Sequence, residues 1–375
     1  MATSEMARSW LHLQAQDPRF QLPESLRRRD PFGARDIGWV EQMRPFLREF
    51  SAPGARVIDP FAGFGTTLLA AALEGRSALG YELDAGRAGL ASERLAHHEI
   101  NNSEIRCGEL PERPMHEPLF DLALTSVPYF GAQSGLAASE SGQLYASHSY
   151  QVHLDHLGLL FHRLRAWLKP GAYCVVMAEN LRLSDQVLPL AWDLANLLGD
   201  LYQRGEERLI VYSSGRQAGA NPMFSDRSHE YALVFRNLRL ACMRRNVVWP
   251  WLQALAGLGL NFALHGSAAR HWRDPDSAEP VADVDLVFDP LQPDIERAAA
   301  WLHERGFALR SWGRSLSLPL QVDTRLRGRY AVLAERIERD GRRLRFDLGF
   351  EVDGVDLPTA LAQAERHDGI GFLSD

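Results

Sequence analysis

The stretch Val57–Leu69, with the sequence VIDPFAGFGTTLL, decides the fold of this chain. Its apolar start predicts a buried strand over 56–59, which ends in an acid. Two glycines follow, Gly63 and Gly65, and glycine lets a backbone take positive φ and approach a ligand closely. A helix is predicted from Thr66 onward, and its first N–H groups are hydrogen-bond donors. The stretch therefore predicts a strand, a ligand-binding turn and a helix in succession.

The next segments continue the alternation of strand and helix. The helix ends near Gly75, and a second strand over 77–81 runs into Glu82. In a doubly wound sheet, an acid at the end of the second strand holds the hydroxyls of a ribose. The alternation extends to about residue 238, which predicts an α/β fold with a parallel sheet.

A polar and aromatic segment follows the predicted strand Asp121–Thr125 and consists of Ser126, Val127, Pro128 and Tyr129. The carboxyl end of a parallel strand is where such sheets place ligands and chemistry. The sequence therefore predicts that this segment and the glycine turn share one site.

Together, these blocks resemble the amino-group DNA methyltransferases. The glycine turn and the later Gly-Tyr-Glu-x-Asp of residues 80–84 resemble their S-adenosylmethionine site, and 126–129 resembles their Ser/Asn/Asp-Pro-Pro-Tyr/Phe motif. Leu-Lys-Pro-Gly at 168–171 and the last hairpin at 221–235 extend the resemblance over about residues 30–238. It implies a Rossmann-like, S-adenosylmethionine-dependent methyltransferase domain.

The resemblance also implies roles for individual residues. Ser126 and the Val127 carbonyl accept hydrogen bonds from an exocyclic amine, Pro128 shapes the turn, and Tyr129 stacks on the extruded base. Val127 replaces the family's first proline, so the turn loses a fixed φ angle. Serine in the first position favours cytosine N4, and adenine N6 stays open. DNA is the expected partner, with structured RNA as the alternative.

Seven residues are expected to contact the cofactor. The turn passes beside the methionine and ribose, Glu82 takes the ribose hydroxyls, and Glu109 faces the adenine amine or is a solvated loop acid. The expected set is Asp59, Phe61, Gly63, Gly65, Thr66, Glu82 and Glu109. His229 and Glu230 are interpreted as a buried structural pair.

A different pattern begins near residue 241. Leu264–Arg270, with the sequence LHGSAAR, precedes Asp283-Val-Asp285-Leu-Val-Phe, and strand alternation puts the two acids on one face. Paired carboxylates at this spacing can bind magnesium, and Gly266 and Ser267 offer donors to a triphosphate.

This order resembles the small, antibiotic-modifying nucleotidyltransferases of the DNA polymerase β type. Their third acid corresponds to Asp347 or, less well, to Asp323. The resemblance implies an α+β domain that uses Mg²⁺ and a nucleoside triphosphate on an unknown acceptor. The gap from Ser267 to Asp283 is longer than usual in that family.

Composition sets broad limits. The chain has 375 residues, 46% hydrophobic and 24% charged, which is typical of globular proteins. The net charge of −7 argues against non-specific coating of nucleic acid, and the three cysteines have no metal-type spacing. No apolar run has membrane-spanning length and no leader is recognisable, so a cytoplasmic location is expected.

We therefore expect an N-terminal extension with a leading helix at 1–50, a methyltransferase domain at 51–240 and a nucleotidyltransferase-like domain at 241–375. Two alternatives stay open. The chain methylates RNA bases, or it is a nucleotidyltransferase whose methyltransferase domain has decayed into a binding module. The last domain itself either contacts the nucleic acid or modifies a separate substrate.

Overall fold

The computed structural model describes residues 8–30, 33, 37–114, 119–131, 144, 147–182, 186–213, 229–291, 293–320, 332–352 and 354–373. The chain divides into two compact units, Met1–Leu238 and Arg239–Asp375. The segment 221–228 of the predicted hairpin and the candidate Asp323 lie outside the described residues.

The first unit alternates strands and helices, with a short 3₁₀ helix at Pro18–Phe20. Its elements are β1 (Trp10–Leu13), α1 (Glu24–Arg27), α2 (Val40–Phe50), β2 (Arg56–Asp59), α3 (Thr66–Leu73), β3 (Ser77–Glu82), α4 (Ala85–His97), β4 (Ser103–Cys107), β5 (Phe120–Ser126), α5 (Tyr150–Trp167), β6 (Leu168–Ala178), β7 (Leu181–Arg182), β8 (Val187–Leu188), α6 (Leu190–Leu201), β9 (Gln203–Tyr212) and β10 (His229–Arg236). The predicted strands at 56–59, 77–81 and 121–125 are confirmed.

Eight of these strands form one sheet in the order β4-β3-β2-β5-β6-β10-β9-β1. The first five strands in this order, β4, β3, β2, β5 and β6, are parallel to one another. The next strand, β10, runs antiparallel to both of its neighbours, β6 and β9. Counted from β2, the parallel strands have the order 3-2-1-4-5, as in a Rossmann-like sheet. The strand order reverses between β2 and β5, and ligands bind at that point, beyond the carboxyl ends of the strands.

The central strands are buried because helices cover the sheet. Leu122, Ala123 and Leu124 of β5 have no exposed surface, so both faces of that strand are covered. Phe46 of α2 and Leu68 of α3 belong to the same apolar core as β2 and β5. This core fixes the ends of β2 and β5 side by side.

The second unit contains a separate apolar core and a mixed sheet. Its elements are α7 (Arg245–Gly257), β11 (Phe262–His265), α8 (Gly266–Trp272), β12 (Val284–Phe288), α9 (Asp294–Glu304), β13 (Ala308–Ser311), β14 (Arg314–Ser315), β15 (Val332–Ile337), β16 (Arg343–Gly349), α10 (Leu357–Gln363), β17 (Glu365–His367) and β18 (Ile370–Phe372). The strand order is β14-β13-β15-β16-β12-β11-β18-β17. Asp283 precedes β12 instead of lying within it, so strand alternation does not relate it to Asp285 as predicted.

Across the described part of both units, we find no helix with the length and apolar character needed to cross a bilayer.

Candidate functional site

Asp59 ends β2 and is almost fully buried, with 2% of its surface exposed. Its Oδ1 accepts hydrogen bonds from the Phe61 N–H at 3.0 Å and from the Thr125 hydroxyl at 2.5 Å. Burial raises the pKa of Asp59 to about 6, although these donors and Thr67 favour the ionised form. The carboxylate therefore ties the start of the glycine turn to the end of β5.

The two glycines of the turn have positive φ, 51° at Gly63 and 72° at Gly65. Gly65 is the N-cap of α3, and the Cβ that it lacks would face Ile105, Ala91 and Leu95. Gly65 therefore packs against the interior of the unit and does not line the cavity described below. The structure thus does not place Gly65 where the sequence predicted a contact with the cofactor.

A third glycine, Gly80 on β3, lets the turn approach the sheet. A Cβ built on Gly80 would lie 2.6 Å from the Ala62 Cβ and 2.9 Å from Leu68 Cδ1. The Ala62 N–H donates to the Tyr81 carbonyl at 2.8 Å, which fastens the turn to the next strand.

Glu82 closes the turn from the end of β3. Its Oε2 accepts from the Gly63 N–H at 3.0 Å and its Oε1 from the Asp84 N–H at 2.9 Å. Burial raises the pKa of Glu82, and the nearby Arg87 and both N–H groups oppose this rise. A carboxylate held in this way has lone pairs left to accept from a ribose.

Arg94 on α4 donates hydrogen bonds to the glycine turn. The sequence did not predict this role. Arg94 has no exposed surface, and it donates to the Phe64 carbonyl at 3.1 Å and to the Thr66 hydroxyl at 3.0 Å. Burial lowers the pKa of Arg94 to about 10. In the sequence, this residue resembles any surface arginine of an amphipathic helix, because only the fold buries it.

The segment 126–129 begins at the end of β5, and its Val127 stands where the similar methyltransferase motif has a proline. The Val127 N–H donates to the Met177 carbonyl at 3.2 Å, a bond that a proline has no N–H to make. Val127 and Tyr129 are buried, whereas Ser126 and Pro128 are half-buried. The valine thus replaces a fixed φ angle with a backbone hydrogen bond to β6.

Glu109 lies in an exposed loop. Half of its side chain is exposed, and its Oε2 pairs with the Arg163 guanidinium at 3.2 Å. Burial lowers the pKa of the neighbouring His156, and the Glu109 charge opposes that effect. Both residues line the cavity, so Glu109 lies at its rim beside a cation.

A cavity of about 450 Å³ brings most of the predicted site together. Its volume lies in the range of about 300–1,000 Å³ that is usual for small-molecule sites. The predicted residues that line it are Asp59, Phe61, Gly63, Thr66, Glu82, Glu109, Ser126, Val127, Pro128 and Tyr129. The lining also contains residues that the sequence did not point to, among them Ile37, Gln42, Met43, His156 and Arg163, and it contains Glu230.

Glu230 does not form the expected structural pair with His229. Successive residues of a strand point to opposite faces of the sheet. Glu230 is 4% exposed and accepts a hydrogen bond from the Gln42 amide, whereas the half-buried His229 lies edge-on to Tyr231.

In the second unit, sheet register aligns two of the three predicted metal ligands. Asp285 on β12 is opposite Asp347 on β16 on one side and His265 on the other. Gly266 has a φ of 64°, and a Cβ there would lie 2.7 Å from Asp285 Oδ2. The turn and the two acids are therefore neighbours, with Ser267 one residue further along α8.

A cation of the protein itself lies beside these acids. The Arg345 Nε is 3.6 Å from Asp347 Oδ1, and both side chains are buried. Within the described residues, no group of three or more His, Cys, Asp or Glu side chains is arranged to hold a metal ion. This arrangement does not fit a preformed magnesium pair on Asp283, Asp285 and Asp347.

Comparison with known proteins gives one family match. Residues 40–93, which span α2, the glycine turn, β3 and part of α4, match the N6_N4_Mtase family of DNA methylases. No curated protein matches the sequence. The match and the Rossmann-like sheet support an S-adenosylmethionine-dependent methyltransferase in the first unit.

Several solved structures resemble the chain at low identity. TrmN from Thermus thermophilus is 22% identical with a TM-score of 0.36, over 56% of this chain and 53% of that one, so the likeness spans about half of TrmN. Precorrin 8W decarboxylase from Methanobacterium thermoautotrophicum is 16% identical with a TM-score of 0.38, over 57% and 99%. An rRNA methylase from Streptococcus thermophilus is 15% identical with a TM-score of 0.33, over 53% and 96%.

Proposed function

We propose that the first unit transfers a methyl group from S-adenosylmethionine to an exocyclic amine of a nucleic-acid base, with DNA as the polymer and cytosine N4 favoured over adenine N6. One observation carries this proposal. Asp59 at the end of β2 and Ser126 at the end of β5 line one cavity, at the point where the strand order reverses.

The cofactor roles follow from the walls of that cavity. The carboxylate of Glu82 accepts from the ribose hydroxyls, and the backbone of Phe61 and Gly63 passes beside the sulfonium end. The residues present fit the group, because Gly80 leaves room for the turn and Glu82 is held by two N–H groups. When bound, S-adenosylmethionine supplies an electrophilic methyl group.

The chain itself positions the amine. The Ser126 hydroxyl and the Val127 carbonyl accept the two N–H groups of the amine, so the nitrogen lone pair points towards the methyl carbon. The amine would lose one of the two protons held by Ser126 and the Val127 carbonyl as it gains the methyl group, and S-adenosylhomocysteine would be the product left behind. Tyr129 stacks on the base and replaces the stacking that the base loses when it leaves the duplex.

Methyl transfer from labelled S-adenosylmethionine to duplex DNA, single-stranded DNA and RNA, followed by digestion to nucleosides, tests this proposal. We expect label in N4-methylcytosine or N6-methyladenine from DNA, and loss of at least about 100-fold in kcat in the Ser126→Ala, Tyr129→Ala double variant. Tyr129→Phe keeps the ring and should keep most of the activity.

Each outcome identifies a substrate class or removes one. Label in RNA alone would replace the polymer in this proposal with RNA. A chain that binds the cofactor and labels none of the three polymers would contradict the proposal and favour a binding module.

For the second unit, nucleotidyl transfer stays a prediction from the sequence. The alignment of Gly266, Asp285 and Asp347 agrees with it, whereas the buried Arg345 beside Asp347 does not favour magnesium. We derive no step through a metal there.

A further inference from the structure

Glu230 lies at the same edge of the sheet as the residues of the proposed methyl transfer. In the register of the sheet, Ala232 on β10 is opposite Met177 on β6, which is opposite Ser126 on β5. Because β10 is antiparallel, Glu230 lies two residues beyond Ala232 towards the carboxyl ends of the parallel strands. Period-two alternation puts it on the same face as Ala232.

A buried amide meets this carboxylate from the helix before the glycine turn. The Gln42 Nε2 of α2 donates to Glu230 Oε2 at 2.6 Å, and the two residues are 1% and 4% exposed. Burial of a carboxylate is costly unless it is hydrogen-bonded or meets a cation. Gln42 is neutral, so this bond satisfies a lone pair of the carboxylate and does not itself supply a cation.

The pair lies close to the glycine turn. Gln42 Oε1 is 3.5 Å from the position that a Cβ on Gly38 would occupy, and the Gly38 carbonyl accepts from the Thr66 hydroxyl at 3.4 Å. Thr66, Gly38, Gln42 and Glu230 all line the cavity. The lining therefore includes carboxylates from strands that are far apart in the sheet, Glu82 on β3 and Glu230 four strands away on β10.

S-adenosylmethionine has a different chemical group at each end. Its adenosine end offers ribose hydroxyls, and its amino-acid end offers an ammonium group beside a carboxylate. With the ribose on Glu82, the amino-acid end would occupy another part of the same cavity, whose lining includes Gln42 and Glu230. A buried carboxylate attracts an ammonium group more strongly than an exposed carboxylate does.

We propose that Glu230, oriented by Gln42, binds the ammonium group of the cofactor's amino-acid end and so selects an amino-acid-bearing nucleoside. This role rests on the proposed function, since it places the same cofactor in the same cavity. The contact is an N⁺–H···O⁻ hydrogen bond, with no proton transfer and no covalent step.

Calorimetric titration of the full chain with three probes tests the proposal. S-adenosylhomocysteine carries both groups of the amino-acid end, decarboxylated S-adenosylmethionine keeps only the ammonium, and 5′-methylthioadenosine has neither. In Glu230→Gln, the new amide oxygen still accepts from Gln42 while the charge is lost. We expect the Kd of the first two probes to rise about 10- to 100-fold and that of 5′-methylthioadenosine to stay within about twofold.

Glu82→Gln is the matched control, because all three probes contain the ribose and should all bind more weakly. Equal weakening of the three probes by Glu230→Gln would make the pair a structural tie and overturn the proposal. An unchanged Kd for decarboxylated S-adenosylmethionine would overturn the ammonium contact. If the unsubstituted chain binds none of the probes, the proposed function fails together with this role.

Discussion

The two acid-bearing turns of this chain differ in what surrounds their carboxylates. In the first unit, Asp59 and Glu82 accept hydrogen bonds from backbone N–H groups and from the hydroxyl of Thr125. In the second unit, Asp347 lies 3.6 Å from the buried guanidinium of Arg345. Both regions follow the same pattern of apolar strand, glycine turn, helix and acid on a neighbouring strand.

The difference shows that one sequence pattern is compatible with two electrostatic settings. The carboxylates of the first unit are hydrogen-bonded to neutral donors and line a cavity. A carboxylate beside a guanidinium already has a cation of the chain as partner. The first arrangement is suited to a ligand, and the second is suited to stabilising its own sheet.

The largest expected effect is the loss of the ion pair in the second unit. Asp347→Asn removes a negative charge 3.6 Å from the buried Arg345 guanidinium, which should lower the free energy of unfolding of that unit by about 3–5 kcal/mol. Hydrogen exchange of the slowest amides of β15 and β16 measures this change.

Asp340→Asn is the control, because its pair with Arg342 at 2.6 Å is exposed to solvent and should contribute little to stability. Similar small losses in both variants would remove the contrast between the two units. Protection of the unsubstituted chain by millimolar Mg²⁺, absent in Asp347→Asn, would restore Asp347 as a metal ligand.

Buried Asp59 should make the free energy of unfolding of the first unit depend on pH. Burial raises the pKa of Asp59 from 3.8 to about 6, so between these values the folded state holds a proton that the unfolded state has released. The free energy of unfolding should therefore fall by about 3 kcal/mol as pH rises through this window, and change no further above it. Asp59→Asn lacks this contribution and gains stability relative to the unsubstituted chain from pH 4 to pH 7.

The readout is the labelling of Cys174 by dithiodipyridine at equilibrium in urea. Cys174 is buried in the first unit, whereas Cys107 and Cys242 are exposed and label at once. The raised pKa of Glu82 is present in both chains, so the difference between them isolates Asp59. Parallel pH profiles would show that Asp59 is not the source.

The smallest expected effect comes from adding a side chain at Gly80, where β3 packs closely against the glycine turn. Gly80→Ala should destabilise the first unit by about 1–3 kcal/mol and weaken binding of S-adenosylhomocysteine, because its Cβ would lie 2.6 Å from the Ala62 Cβ. Gly89→Ala is the opposite control. It lies in α4 with open space around it and should stabilise the unit by about 0.5–1 kcal/mol. The Cys174 labelling assay measures the change in the free energy of unfolding for both variants. Changes of the same sign would contradict the close packing at Gly80.

Local patterns predicted much of the first unit. The apolar run before Asp59 gave a strand at the predicted residues, and Glu82 ends β3 as expected. Such elements depend on neighbours in the sequence, so periodicity and turn residues identify them. Ends of elements were less predictable, as β12 begins after Asp283 instead of including it.

Contacts between distant residues were not predictable from those patterns. Arg94, Gln42 and Arg345 are ordinary polar residues in the sequence, and no local pattern pairs them with Phe64, Glu230 and Asp347. Arg94 reaches Phe64 across 30 residues, and Gln42 reaches Glu230 across 188. Their burial follows from how helices cover the sheet, which no short window of sequence encodes.

The sequence by itself therefore determined the order of strands, glycine turns and helices, and the residue types at the strand ends, because these depend on local backbone preference and hydrophobic period. Only the tertiary structure decided which charges meet. Strand order and helix packing place Glu230 in the cavity and leave Asp347 facing Arg345. The physical reason is that the energy of a buried charge depends on the donors and cations within a few ångströms, and folding alone brings those together.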